Sequence, residues 1–135
     1  MSEPGSAARA LVAGHGDFAV GLVSAVGQIT GLGDAFVTLS NRDMSAADVE
    51  RAMREQVDER ALDVIFTDLP AGSCTMAARR LQRERPAVVL VTGTNLATLL
   101  DFVFHTDVPA IEAAQHAAEK GRASLVVTGG APGGH

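Results

Sequence analysis

Tryptophan and tyrosine are absent from these 135 residues, and aromatic side chains make up only 4% of them. A surface that holds nucleic-acid bases by stacking needs such rings, so their scarcity argues against that class. Positive charge is also short, with a formal net charge of −5. A protein that tracks a phosphate backbone needs the opposite balance, so no nucleic-acid partner is expected. A single cysteine, Cys74, excludes an intrachain disulfide and fits a reducing, cytoplasmic compartment. No apolar run approaches the length of a membrane span. The opening residues lack a charged segment followed by an apolar one, and no signal peptide is expected there. No His, Cys or Asp group has metal-ligand spacing, so neither a metal nor a cofactor is expected.

What is present describes a globular domain. The chain is 47% hydrophobic and 20% charged, and its length suits one domain with a real core. Its order alternates strand and helix. Arg9 to Ala13 reads as a first strand, and Gly14-His15-Gly16 as a turn. Asp17 is placed to cap a helix with Phe18, Leu22, Val26 and Ile29 on its apolar face. A second strand spans Ala35 to Leu39. Ser45 opens a helix that buries Val49, Ala52, Met53 and Val57. A fourth strand is expected at Ala87 to Val91, and Asn95 caps a helix carrying Leu96, Leu99, Leu100 and Val103. Pro109 starts the last helix, Gly121 ends it, and Ser124 to Val127 reads as a short final strand. Residues 129–135, rich in glycine and proline, read as a disordered tail.

The centre of the pattern is the stretch from Val64 to Met76. Its apolar start is a buried strand that delivers Asp68 where it stops. Leu69-Pro70-Ala71-Gly72 turns the chain, because proline fixes φ and glycine permits positive φ. Ser73 is the expected N-cap of a helix whose buried face holds Cys74, Ala77, Ala78 and Leu81. A carboxylate beside the free N–H groups of a helix start is an odd pair unless something polar lies between them.

Such alternation implies an α/β domain with a mainly parallel, doubly wound sheet. With strand order 2-1-3-4, the switch point falls between the first and third strands, where ligands sit in such sheets. His15 and Asp68 would then face each other there. A histidine in a loop is most often just a polar surface group. Here two glycines leave the ring open, and a carboxylate on one ring nitrogen would present the other as a nucleophile. Ser73 and neighbouring N–H groups would hold transferred phosphoryl oxygens. His105 and His116 read as helix-surface residues and His135 as tail. Arg79, Arg80, Arg83 and Arg85 read as a solvated helix face or, less often, a docking patch. Arg79 and Arg80 are the arginines expected nearest the site. Cys74 reads as a small buried residue rather than a reactive thiol.

Three segments, Gly14 to Val26, Ile65 to Arg80 and Val91 to Leu100, resemble the mannose-family enzyme IIA domain of the bacterial phosphoenolpyruvate-dependent sugar phosphotransferase system. The similarity runs in order from about Leu11 to Val127. It implies that His15 carries a phosphoryl group on the ring nitrogen remote from Asp68. It also implies a phosphate site at Gly16, Gly72, Ser73 and Cys74. The donor would be the phosphocarrier HPr and the acceptor an enzyme IIB, with membrane association only indirect, through the sugar permease. A homodimer is implied, in which the final strand pairs with the partner's sheet. The domain would span residues 1–128. The segment Ala71 to Met76 departs from the Gly-Gly-Ser-Pro-Phe-Asn often found in the family, but Ser73 is kept. Rival readings are a regulatory phosphorylation module, the phosphocarrier subunit of dihydroxyacetone kinase, a receiver phosphorylated on Asp68, and a nucleotide-binding module. The last lacks both the glycine fingerprint and a Walker lysine.

Overall fold

The structure, a computed structural model, describes residues 8–132. Four parallel strands form one sheet in the order β2-β1-β3-β4. They are β1 (Ala10–Gly14), β2 (Phe36–Ser40), β3 (Val64–Thr67) and β4 (Val89–Val91). The helices are α1 (Phe18–Thr30), α2 (Ala46–Arg60), α3 (Ser73–Glu84), α4 (Leu96–Phe102) and α5 (Ala110–Ala123).

The two inner strands are buried throughout, and apolar except for Thr67, because both of their faces are covered. Side chains alternate across a strand, so Ala10, Val12, Val64 and Phe66 meet α1, α4 and α5 on one side. Leu11, Ala13 and Ile65 meet α2 and α3 on the other. The path from β1 moves outward to β2, whereas the path from β3 moves outward to β4. Right-handed crossovers in opposite directions place α1 and α3 on opposite faces. Phe36, Phe66 and Phe102 knit the first layer together, with Phe66 edge-on to Phe102 at a centroid distance of 5.0 Å.

Several local expectations change. β1 and β2 each sit one residue later than the apolar runs imply, and β4 starts two residues later, because pairing with β1 and β3 sets their limits. Asp17 makes no capping bond to α1. Its carboxylate accepts instead from Arg42 Nη2 at 3.2 Å. Ile29 is exposed, since α1 turns Ala19 and Val26 to the sheet. Ser45 and Asn95 do cap their helices, each accepting a backbone N–H three residues on.

Gly121 does not end the last helix, which continues to Ala123. Its missing side chain serves close packing. A Cβ there would collide with Thr98 Oγ1 and lie 3.1 Å from Asn95 Oδ1. Ser124 to Val127 forms no strand. Ser124 closes the end of α5 through hydrogen bonds to Lys120 and Gly121. Leu125 and Val127 are 84% and 94% exposed. Residues 125–132 carry no helix or strand, and His135 lies outside the described residues.

Candidate functional site

β1 and β3 are neighbours in register, so their C-terminal ends meet at one rim of the sheet. His15 follows β1 and Asp68 follows β3. One carboxylate oxygen, Asp68 Oδ2, accepts from the His15 backbone N–H at 2.9 Å. The same oxygen lies 2.7 Å from His15 Nδ1. An ionised carboxylate only accepts, so Nδ1 carries the proton and Nε2 keeps the free lone pair. The Asp68 side chain is 12% exposed and that of His15 55%, which leaves the ring open to solvent.

Burial alone would push the Asp68 carboxyl up. Its hydrogen bonds from the His15 ring and backbone, and the charge on a protonated ring, outweigh that and hold it below the usual carboxylate range.

Glycine makes the approach possible at two places. A Cβ on Gly14 would lie 2.6 Å from Phe18 Cδ2 and 2.9 Å from Asp68 Cγ, so a larger residue would push the carboxylate away. Gly72 adopts φ 120° at the head of α3, where a Cβ would come within 3.4 Å of His15 Cε1. The imidazole thus lies against the start of α3, whose first N–H groups have no partners within the helix. Thr75 fixes this start. Its hydroxyl bonds Thr67 Oγ1 at 2.7 Å and donates to the Leu69 carbonyl.

Ser73 is the first residue of the helix, not its cap. The extended, positive-φ backbone of Gly72 occupies the cap position. That frees the Ser73 hydroxyl to accept from Asn41 Nδ2 at 2.7 Å. Asn41 was not visible as a site residue in the sequence. It follows β2, and only the parallel pairing of β2 with β1 brings it here. Arg42 was missed for the same reason. It lies beside Gly16 and Asp17, whereas Arg79 and Arg80 are exposed along α3, with Arg80 3.6 Å from Glu50. Cys74 is buried, and burial followed by the negative charge of Asp68 pushes its thiol up to about 11. It can offer the site a backbone N–H but not a thiolate.

The arrangement is a histidine with one nitrogen clamped and the other free, facing a helix start suited to an anion. The model of the EIIA-man family, described as the PTS system fructose IIA component, matches residues 9–119. The chain belongs to this family. It is a phosphocarrier component of a sugar phosphotransferase system. IIA components in general work with HPr and enzyme IIB. A PTS IIA protein associated with the fucose utilization operon of Streptococcus pneumoniae is 26% identical, with a TM-score of 0.76 over 88% of this chain and 91% of that one. EIIA from Streptococcus agalactiae has a TM-score of 0.79 at 21% identity, covering 88% and 95% of the two chains. The mannose/sorbose-specific IIA subunit of Enterococcus faecalis has a TM-score of 0.77 at 19% identity, covering 90% and 95%. At such identities the last two speak for the fold alone. No curated protein sequence matches the chain. Among the described residues no helix is long and apolar enough to cross a membrane.

Proposed function

We propose that His15 Nε2 accepts the phosphoryl group from HPr and passes it to an enzyme IIB. The hydrogen bond between Asp68 and His15 Nδ1 carries this reading, because it leaves Nε2 as the only nucleophilic nitrogen of an open ring. The Nε2 lone pair attacks phosphorus, the donor's phosphorus–nitrogen bond breaks, and the donor imidazole leaves with that electron pair. Positive charge builds on the His15 ring and is balanced by Asp68. The start of α3, from Gly72 through Cys74, together with Gly16 and the Ser73 hydroxyl, receives the phosphoryl oxygens. The return step runs the same chemistry toward the acceptor.

In this proposal residues 1–128 are the working domain and 129–135 an accessory tail. The protein acts in the cytoplasm and reaches the membrane only through its partners. It is also a homodimer. β4 is an edge strand, and a groove of roughly 280 Å3 runs along it, lined by Val89, Val91, Ile111 and Ala114. The exposed apolar residues Leu125 to Val127 have the composition to fill such a groove in a second copy.

Incubation with phosphoenolpyruvate, enzyme I and HPr, followed by mapping of the modified residue, tests the assignment. The expected product is an acid-labile, base-stable phosphate on His15 that is absent from His15→Ala. A base-labile phosphate on Asp68 would overturn it. Sedimentation of the full chain and of a chain ending at Ala123 tests the dimer. A full chain that is monomeric at micromolar concentration would refute that part.

A further inference from the structure

Among the described residues, one group of side chains beyond the His15 rim brings metal-ligating atoms together: Asp101, His105 and His116. We propose that these three residues bind a divalent transition-metal ion of the zinc class. One donor atom from each lies within 4.8 Å of the others. Both imidazoles border one carboxylate oxygen, although His105 Nδ1 donates to the Asp101 backbone carbonyl at 2.9 Å, a bond that a metal would replace. Asp101 Oδ2 is 2.7 Å from His116 Nδ1 and 3.6 Å from His105 Nδ1. The rings lie together with their centroids 4.4 Å apart.

Sequence spacing hid this group, because its members come from separate segments, and His105, expected on a helix surface, lies in the turn after α4, which already ends at Phe102. Asp101 and His105 are four residues apart across the end of α4, whereas His116 stands on α5. The two helices are held at a fixed separation. Gly121 fits against Thr98, and Asn95 Nδ2 donates to the Gly121 carbonyl at 2.9 Å. The turn after α4 is anchored too. Arg9 donates to the His105 carbonyl at 3.2 Å and the Val108 carbonyl at 2.7 Å. The donors thus stand on a framework that already sets their spacing.

The donor chemistry selects the ion. Two imidazoles and one carboxylate suit zinc and its neighbours, while magnesium and calcium prefer sets made only of oxygen. Metal–ligand bonds of about 2.0–2.2 Å at tetrahedral angles put donor atoms about 3.3 Å apart. Asp101 and His105 are already near that spacing. Asp101 and His116 must open by about half an ångström, a small side-chain rotation. The proton on each Nδ1 moves to Nε2 or to solvent as the metal takes its place. Asp101 forms the floor at 12% exposed and His116 the rim at 49%, so an ion can enter from solvent and keep a water in its fourth position.

The site lies at the opposite end of the sheet from His15. Arg9 precedes β1 and His15 follows it, so about 20 Å of extended strand separates the two poles. A metal here joins α4 to α5 without touching the phosphoryl chemistry, and the test does not depend on that chemistry.

Calorimetric titration of the full chain with zinc, repeated with magnesium, and thermal unfolding with and without zinc provide the test. Zinc should bind at one equivalent and raise the melting temperature, and magnesium should do neither. His105→Gln and His116→Gln should each weaken that equivalent at least tenfold, while His15→Ala keeps it. Asp101→Asn, which preserves the shape of the carboxylate, should also lose it while retaining its circular dichroism. If wild type and both glutamine variants bind zinc alike, or if only His15→Ala loses it, the three residues form a hydrogen-bonded cluster and the proposal is wrong.

Discussion

Replacing Asp68 with asparagine keeps the side chain's shape and removes its charge. The carboxylate accepts two bonds from His15 through one oxygen, at 2.7 and 2.9 Å. An amide oxygen can still take both, so the ring should keep its place. What disappears is the attraction between the carboxylate and the positive charge that builds on the imidazole. Full charges about 4 Å apart at an effective dielectric of about 20 attract by about 4 kcal/mol. The ring charge is only partly developed at the barrier, and His15 has one face in water. The expected loss is therefore roughly half of that, about 2 kcal/mol, or a phosphorylation rate about 30-fold slower. Rapid-quench labelling from phosphorylated HPr measures it, with circular dichroism checking the fold. A folded variant that is phosphorylated within about twofold of the wild-type rate would refute the argument that Asp68 acts through its charge.

Gly121→Ala should destabilise the protein by about 1–3 kcal/mol, because the new methyl group meets Thr98 and Asn95 across the α4–α5 contact. Calorimetry should show a melting point lower by roughly 5 °C or more, and an unchanged value would mean the helices part freely. Asp68 also predicts an acid response. Its folded carboxyl lies below the ordinary range, so its contribution is complete above the unfolded value of about 3.9 and is lost as pH falls through the folded one. Denaturant titrations between neutral and acid pH should show a shallower stability loss in Asp68→Asn. Asp48 and Asp58, held low by Arg51 and Arg85, supply part of the remaining slope. A parallel pair of curves would count against the Asp68 pairing. Finally, Cys74 should resist iodoacetamide at pH 8 in the native protein and react promptly in urea, because burial raises its thiol to about 11. Rapid native labelling, followed by mass spectrometry, would contradict its placement.

His15 and Asp68 were legible in the sequence because each follows an apolar strand and each sits among turn residues. A parallel sheet followed from the same alternation; its order 2-1-3-4 was a premise beside it, and the structure has that order. Other contacts between distant segments, which no turn or strand end marks, were not legible. Asn41 reaches Ser73 across 32 positions, and nothing local marks it. His116 reaches Asp101 across 15 positions, from a helix whose spacing alone made it a surface residue. Gly121 shows the opposite failure. A glycine near a helix end reads as a stop signal, but here it marks a close approach between two helices. Ser73 read as a cap because serine often is one, yet Gly72 takes the conformation that precedes the helix. The apolar run at Leu125 to Val127 read as a strand from its composition, but a strand needs a neighbour, and among the described residues this run has none.

The single oxygen that receives both hydrogen bonds from His15 has a kinetic consequence. Two bonds to one point, one from the backbone and one from the ring, leave the imidazole little freedom to swing. Its free nitrogen therefore looks out in one fixed direction before and after it is loaded. On the proposed reading, donor and acceptor must approach along that same line. They cannot occupy the protein together, and no ternary complex forms. Steady-state plots of transfer against the concentrations of both partners should be parallel lines, with each partner a competitive inhibitor against the other at high concentration.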